Sequence, residues 1–343
     1  MKFTYFHLMP YAYLPEDFEE RFASPSLTFP NGYFDPARGV ELYHRYLDEL
    51  EYADQLGFDG IAVNEHHQSA YGLMPSPNIM AAALARRTSN AKLMVLGNAI
   101  GIREDPLRVA EEIAMLDAMS DGRVIVLLLR GLAFEHNTYV PVGDKSREMT
   151  QEGIELVLKA WTEPKPFAWN GKHYRFQSIS VWPRTKQVPH PPMFGSGNSE
   201  ESALFAARHR FGLAMSFMPV SRIKRMVAVY KAEAQRCGWS PGPEQILYRG
   251  ICLMGADDDD NNLFERAEAE ARASGADAPL IVHGPFFTGG PRSILRQIAS
   301  LRDSGVGVID LDIVASNDAV NYVEQSAALE RFGSEVLPEI RNW

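Results

Sequence analysis

Short apolar runs alternate along the chain with segments whose apolar positions recur every three to four residues. Residues 2–7 are apolar enough for a first strand. Tyr43, Tyr46, Leu47, Leu50 and Ala53 then follow helical spacing, and Gly57 closes that helix. Residues 58–64 read as a second strand, residues 78–87 as a helix and residues 92–98 as a third strand. Pro106 suits the first turn of a helix whose Val109, Ile113 and Leu116 share a face. The turn Asp121-Gly122 precedes Val124–Leu129, an uncharged run of the kind found in parallel strands buried on both faces. Ile154, Val157, Leu158 and Trp161 mark the next helix, and residues 192–195, 212–217, 246–254 and 306–313 supply four more strands. Strands alternating with helices predict a mainly parallel sheet. Eight strand candidates favour an α/β fold closed as a (β/α)8 TIM barrel over an open doubly wound sheet.

The pattern predicts one domain over residues 1–343, with insertions at about 10–35, 164–191 and 257–290. The first insertion holds Tyr11, Tyr13, Phe18, Phe22, Phe29, Tyr33 and Phe34. Following the first strand, it has the place of a substrate lid or wall, with Tyr11 or Tyr13 lining the pocket; a surface flap or a dimer contact is the competing reading. In the second, Trp169 to Phe176 reads as a hairpin turning at Asn170-Gly171. In the third, Asp257 to Asp260 lacks the alternating ligands and glycine of a calcium loop and reads as a solvated helix start.

Composition narrows the function classes. Charged residues make up 23% of the chain and the net charge is −10, so a phosphate backbone is repelled and nucleic acid is not an expected partner. Cys237 and Cys252 give neither a disulfide framework nor a metal spacing. The N-terminus reads as a strand without a signal-peptide core, and no apolar run approaches the roughly 20 residues needed to span a bilayer. A cytoplasmic location without a membrane partner is the expectation.

Chemistry concentrates at predicted strand ends. Asn64-Glu65-His66-His67 closes the second strand, with a carboxylate and two imidazoles suited to proton transfer near neutral pH. Alternation along a strand points His66 and His67 in opposite directions. No third Cys or His has a spacing that completes a metal site, so no metal is expected; histidines hydrogen-bonded into the barrel rim are the bland reading. Arg130 ends an uncharged strand and needs either an anion, such as a phosphate, or a carboxylate such as Glu65, Glu135 or Asp144. Gly195 to Ser202 opens a helix after the fifth strand, a place for a phosphate or simply for capping by Asn198 or Ser199. Thr288-Gly289-Gly290 is a rival phosphate loop.

Taken in order, Asn64-Glu65-His66-His67 with Tyr71-Gly72-Leu73, Leu96-Gly97-Asn98-Ala99 with Pro106, Met119 to Arg123, Leu129-Arg130-Gly131 and the serine-rich turn resemble the bacterial luciferase-like family of flavin-dependent monooxygenases. The resemblance runs through most of the first 220 residues and is thinner beyond. It implies a barrel that binds reduced FMN and activates dioxygen. His66 resembles the family's essential histidine, with Glu65 or Asn64 orienting it. Arg130 resembles the phosphate-holding arginine, with Gly197, Asn198, Ser199 and Ser202 around the phosphate and Asn98 and Ala99 beside the flavin. A non-proline cis peptide is implied near Ala99 and Ile100. Leu129 stands where the luciferase α chain has a reactive cysteine, so light emission and aldehyde chemistry are not carried over.

The expected function is an FMNH2-dependent monooxygenase of the two-component type, oxidising a small apolar compound with dioxygen. A separate flavin reductase supplies the flavin, and the family habit predicts a homodimer. A deazaflavin-dependent oxidoreductase and a non-catalytic flavin-binding protein are the alternatives on the same barrel.

Overall fold

The structure, a computed structural model, describes residues 1–22, 26, 29–139, 145–255, 286–314, 326–341 and 343. Its strands are β1 (Lys2–Phe6), β2 (Gly60–Asn64), β3 (Lys92–Ala99), β4 (Val124–Leu129), β5 (Phe167–Asn170), β6 (Arg175–Ile179), β7 (Met193–Ser196), β8 (Gly212–Ser216), β9 (Ile246–Met254), β10 (Phe286–Gly289) and β11 (Val308–Val314). One sheet runs β10-β9-β11-β1-β2-β3-β4-β7-β8, and a parallel β8–β9 pairing closes it into the (β/α)8 barrel, with β10 appended to β9. Each predicted barrel strand is present, with ends shifted by at most two residues. The strand missed is β10, at the end of the third predicted insertion; residues 256–285 of that insertion, Asp257 to Asp260 included, lie outside the described residues.

The chain divides into two compact units. One comprises Met1–His7, Glu49–Ile61 and Phe194–Trp343. Here Phe3, Tyr5 and Phe58 pack around Phe332 of the Ser326–Glu335 helix, with ring centroids about 6 Å apart or closer. Those rings, with Ile309, Leu311 and Ile313, form the helix-side layer of β1 and β11. Gly57 follows the Pro36–Leu56 helix with φ of +84°, the left-handed turn that a glycine makes without steric cost.

The other unit comprises Leu8–Asp48 and Ala62–Met193. Arg123 locks it beneath β3 and β4. Its guanidinium donates to the carbonyls of Ala85, Thr88, Ala91 and Ser120 and to the Thr88 hydroxyl, so this residue of the Met119-to-Arg123 motif fixes helix ends to strand starts. The predicted hairpin is β5–β6, but Asn170 pairs directly with Arg175, so the turn spans residues 171–174 rather than Asn170-Gly171. Glu152 explains the longer turn: it accepts from the backbone N–H of His173 and Tyr174 and from Trp169 Nε1.

Candidate active site

The chemistry-bearing residues gather where β2, β3 and β4 end. Glu65, the first residue after β2, is almost wholly buried. It fits there because residue 97 is glycine: a Cβ on Gly97 would lie 2.8 Å from the Glu65 backbone nitrogen. Glu65 Oε2 accepts from the N–H of Asn98 at 2.8 Å and of Ala99 at 3.0 Å. Its Oε1 accepts from Arg103 Nη2 at 2.8 Å and lies 2.6 Å from His67 Nε2. Both oxygens are therefore occupied, Oε2 in pinning the end of β3 and Oε1 by Arg103 and His67. Asn98 there adopts φ of +83° and the β3–β4 register shifts. The implied cis peptide near Ala99 and Ile100 is not found: among the described residues the cis bonds precede Pro183 and Pro189. The positive φ of Asn98, held by the two hydrogen bonds to Glu65, makes the bend instead.

His66 occupies its own niche. Its N–H donates to Met74 O at 3.0 Å, and its ring meets Tyr71 edge-on at 5.0 Å and Phe134 at 6.2 Å. Gly72 leaves the space, since a Cβ there would lie 2.8 Å from His66 Cδ2. The carboxylate facing His66 is Glu135, with Oε1 3.5 Å from Nδ1, an ion-pair contact longer than a good hydrogen bond. This corrects the expectation that Glu65 or Asn64 orients the ring. Glu65 is turned to β3 and His67, and Asn64 Nδ2 reaches toward Leu8 O at 3.4 Å. Glu135 also accepts from Leu132 N at 2.7 Å and His67 N at 3.2 Å. Burial pushes its carboxyl up, but His66 and the two backbone N–H groups outweigh burial and hold it below the usual carboxylate range. The strand ends at Asn64, so His66 and His67 are not alternating strand residues; their side chains nonetheless take different carboxylates.

Arg130 follows β4, and its carbonyl lies 3.2 Å from His136 Nε2. Glu65 and Glu135, two carboxylates weighed as its partners, are engaged by the other donors just named, and Asp144 lies outside the described residues. Asn98 offers no side chain to a cofactor: it exchanges two amide hydrogen bonds with Asn78 and is fully buried. The N–H of Ala99 is held by Glu65. Tyr11 is buried within its own loop. Its hydroxyl donates to Tyr33 O at 3.1 Å and accepts from Asp35 N at 2.9 Å, while the Arg38 guanidinium covers the Tyr13 ring at 4.2 Å.

In the first unit, Ser199 caps the Glu200–Arg208 helix by accepting from Ser202 N, and the two serine hydroxyls lie 2.7 Å apart. A cavity of about 470 Å³ opens there, lined by Ser199, Glu200, Ser221, Arg222, Arg225 and Met226. Hydroxyls and two guanidiniums line it, but the guanidiniums already have partners: Arg225 pairs with the Glu200 carboxylate at 2.5 Å and Arg222 donates to Asn198 O at 3.0 Å, so an anion such as a phosphate would compete with Glu200 here. The sequence missed Arg222 and Arg225, which sit one helix later and carry no motif. Asn198 accepts from Ser216 N and so ties the turn to β8. Gly197 is small for packing, because a Cβ would meet Leu213 Cδ1 at 2.7 Å. The rival Thr288-to-Gly290 turn is filled from within: Gln297 exchanges hydrogen bonds with Thr288 N and O.

The profile of the luciferase-like monooxygenases matches residues 28–273. The chain belongs to this family. It is 31% identical over 199 residues to an uncharacterized protein, y4wF, of Sinorhizobium fredii, a match spanning 57% of each chain, so it covers little over half of that relative's length. It is 23% identical to the FMNH2-dependent dimethylsulfone monooxygenase of Pseudomonas putida, across 87% of this chain and 88% of the relative. Among solved structures, monooxygenase RslO1 from Streptomyces bottropensis is similar with a TM-score of 0.77 at 26% identity, covering 99% of this chain and all of that one. The expected family and barrel are borne out, and with them the flavin-dependent enzyme class and FMN as cofactor.

Proposed function

We propose that this protein is the oxygenase of a two-component system, taking reduced FMN from a separate flavin reductase and oxidising a small, largely apolar organic compound with dioxygen. The observation that carries the reading is His66 in its own niche beside the buried carboxylate of Glu135, in a member of a monooxygenase family. The need for a reductase is supported by the relative named for its dependence on FMNH2. The two free cysteines are compatible with work in a reducing cytoplasm.

Bound reduced flavin supplies the electrons that activate dioxygen. The chain supplies position and proton control. His66 takes up or releases a proton at its ring nitrogens, and the Glu135 carboxylate stabilises the imidazolium when it forms. Glu65 keeps the β3 end rigid, holding the backbone at Asn98 and Ala99 in one conformation. Arg130 is assigned to the phosphate of the flavin, and the loop carrying Tyr11 and Tyr13 excludes water from the substrate.

Titration with FMN, FMNH2 and a deazaflavin tests the reading. FMN or FMNH2 is expected to bind in preference to the deazaflavin, and Arg130→Ala is expected to weaken FMN by roughly 2–3 kcal/mol, the scale of a charged phosphate contact. Preference for the deazaflavin would overturn the cofactor assignment. Unchanged FMN affinity in the variant would remove Arg130 from the phosphate site.

A further inference from the structure

Strands β1, β9 and β11 carry an uncommon set of side chains on the face opposite their helices. β11 reads Val-Ile-Asp-Leu-Asp-Ile-Val, and since Ile309, Leu311 and Ile313 form the helix-side layer, Asp310 and Asp312 share the barrel-facing side. Asp310 stands in register with Arg249 on β9 and Thr4 on β1. The Arg249 guanidinium carbon lies 3.5 Å from the Phe6 ring centroid and 4.9 Å from that of Phe217, so two aromatic faces fix it. Its Nε is 3.9 Å from Asp310 Oδ2, beyond hydrogen-bond distance.

These groups are unsatisfied. Arg249 Nε, both carboxyl oxygens of Asp310 and Oδ1 of Asp312 are buried without a hydrogen-bond partner. Arg249 keeps 15% of its side-chain surface accessible, while Asp310 keeps none. A guanidinium carries five donors, and leaving the buried Nε of a nearly buried one without an acceptor is costly. Asp310 is a poor acceptor here. Burial pushes its carboxyl up to about 8 despite the opposing pull of Arg249, with Asp312 adding to the rise. Asp312 is raised by burial to about 6, with His7 and Arg249 lowering it and Glu49 raising it. His7 itself is paired with Glu49 at 2.6 Å. At neutral pH the raised Asp310 favours its protonated form and offsets little of the charge beside it, while Asp312, raised only to about 6, keeps part of its pull on Arg249.

We propose that Arg249 binds a carboxylate group of the organic substrate, its fork donating to the two oxygens and its plane set by Phe6 and Phe217. The inference rests on the reading of the protein as an oxygenase of a small organic compound, and it adds an anionic head to the apolar body. Arg249 is then a specificity-determining residue, selecting acids over their neutral analogues.

Benzoate and its neutral isostere benzamide are suitable probes, titrated calorimetrically into flavin-free protein. Benzoate is expected to bind at least about tenfold more tightly than benzamide, the scale of a charge-assisted pair. Arg249→Met is expected to abolish that preference while leaving FMN affinity unchanged. Equal binding of the two probes, no binding of either, or a preference retained in Arg249→Met would overturn the proposal. A pH series keeps the test independent of that variant's folding. Wild-type affinity for benzoate should fall between pH 7 and pH 9 as Asp310 ionises beside Arg249, and Asp310→Asn should flatten the fall. A flat wild-type profile counts against the proposal. Failure of the oxygenase reading registers separately, as absent binding of FMN and FMNH2, which the benzoate titration does not require.

Discussion

At the scale of single residues, the niche around His66 separates proton chemistry from scaffolding. Glu65 has four polar partners, the N–H groups of Asn98 and Ala99 at the end of β3 together with Arg103 and His67, whereas the His66 ring faces the Glu135 carboxylate. His66→Ala should therefore leave the melting temperature and FMN affinity nearly unchanged and lower oxygen-coupled turnover about 100-fold, a common cost of losing an acid–base group. Full activity in that variant would remove its catalytic role. Asp310 gives a second prediction, in stability. Its folded-state value is raised to about 8, so its contribution is fully present below the ordinary carboxylate range and is lost as pH rises through about 8. Asp310→Asn is expected to gain thermal stability relative to wild type as pH rises from 4 to 8, with no further gain above. A difference that stays constant across that range would show that the carboxyl is not protonated in the fold.

At the scale of elements, the loop after β1 shows aromatic residues packing on one another. Phe18, Phe22, Phe29 and Tyr33 form a continuous ring cluster, and Tyr11 meets Phe34 at 5.3 Å. The Tyr11 hydroxyl bridges Tyr33 O and Asp35 N, closing the loop on itself. Tyr11→Phe should cost about 1–2 kcal/mol in chemical unfolding by leaving those backbone groups without their partner. An unchanged midpoint would mean that water replaces the hydroxyl. The element pattern was legible where the apolar period was clean: Val124–Leu129 and Ile246–Met254 have the bounds read from the sequence. β10 was not legible, because four residues that end in one glycine and run into another carry too little period to stand out.

At the scale of the whole molecule, the Pro77–Arg87 and Pro106–Met119 helices pack together, yet Ile79 is 69% and Met115 50% exposed. Large apolar side chains on helices beside the first strands support the homodimer reading, with those helices buried against a second copy. Sedimentation at micromolar concentration should give about twice the chain mass of 38.4 kDa, and the double change Ile79→Glu and Met115→Glu should return it to that mass. A wild-type protein that sediments at the chain mass would sink the dimer. No described helix is long and apolar enough to cross a membrane.

By itself the sequence determined the barrel and placed its strand ends to within two residues, because hydrophobic period and turn chemistry act locally and repeat eight times. It also marked His66 and Arg130, since polar residues closing apolar strands are conspicuous without any knowledge of contacts. Tertiary structure alone decided which carboxylate faces which base. Glu65 is adjacent to His66 in sequence, yet it turns to β3 and His67, and Glu135, 69 positions along from His66, takes the place beside it. The same holds for Arg249 and Asp310, which lie far apart in the chain and meet only because β9 and β11 are neighbours in register. Pairing energies depend on distance and burial, and neither is written in a linear order of residues.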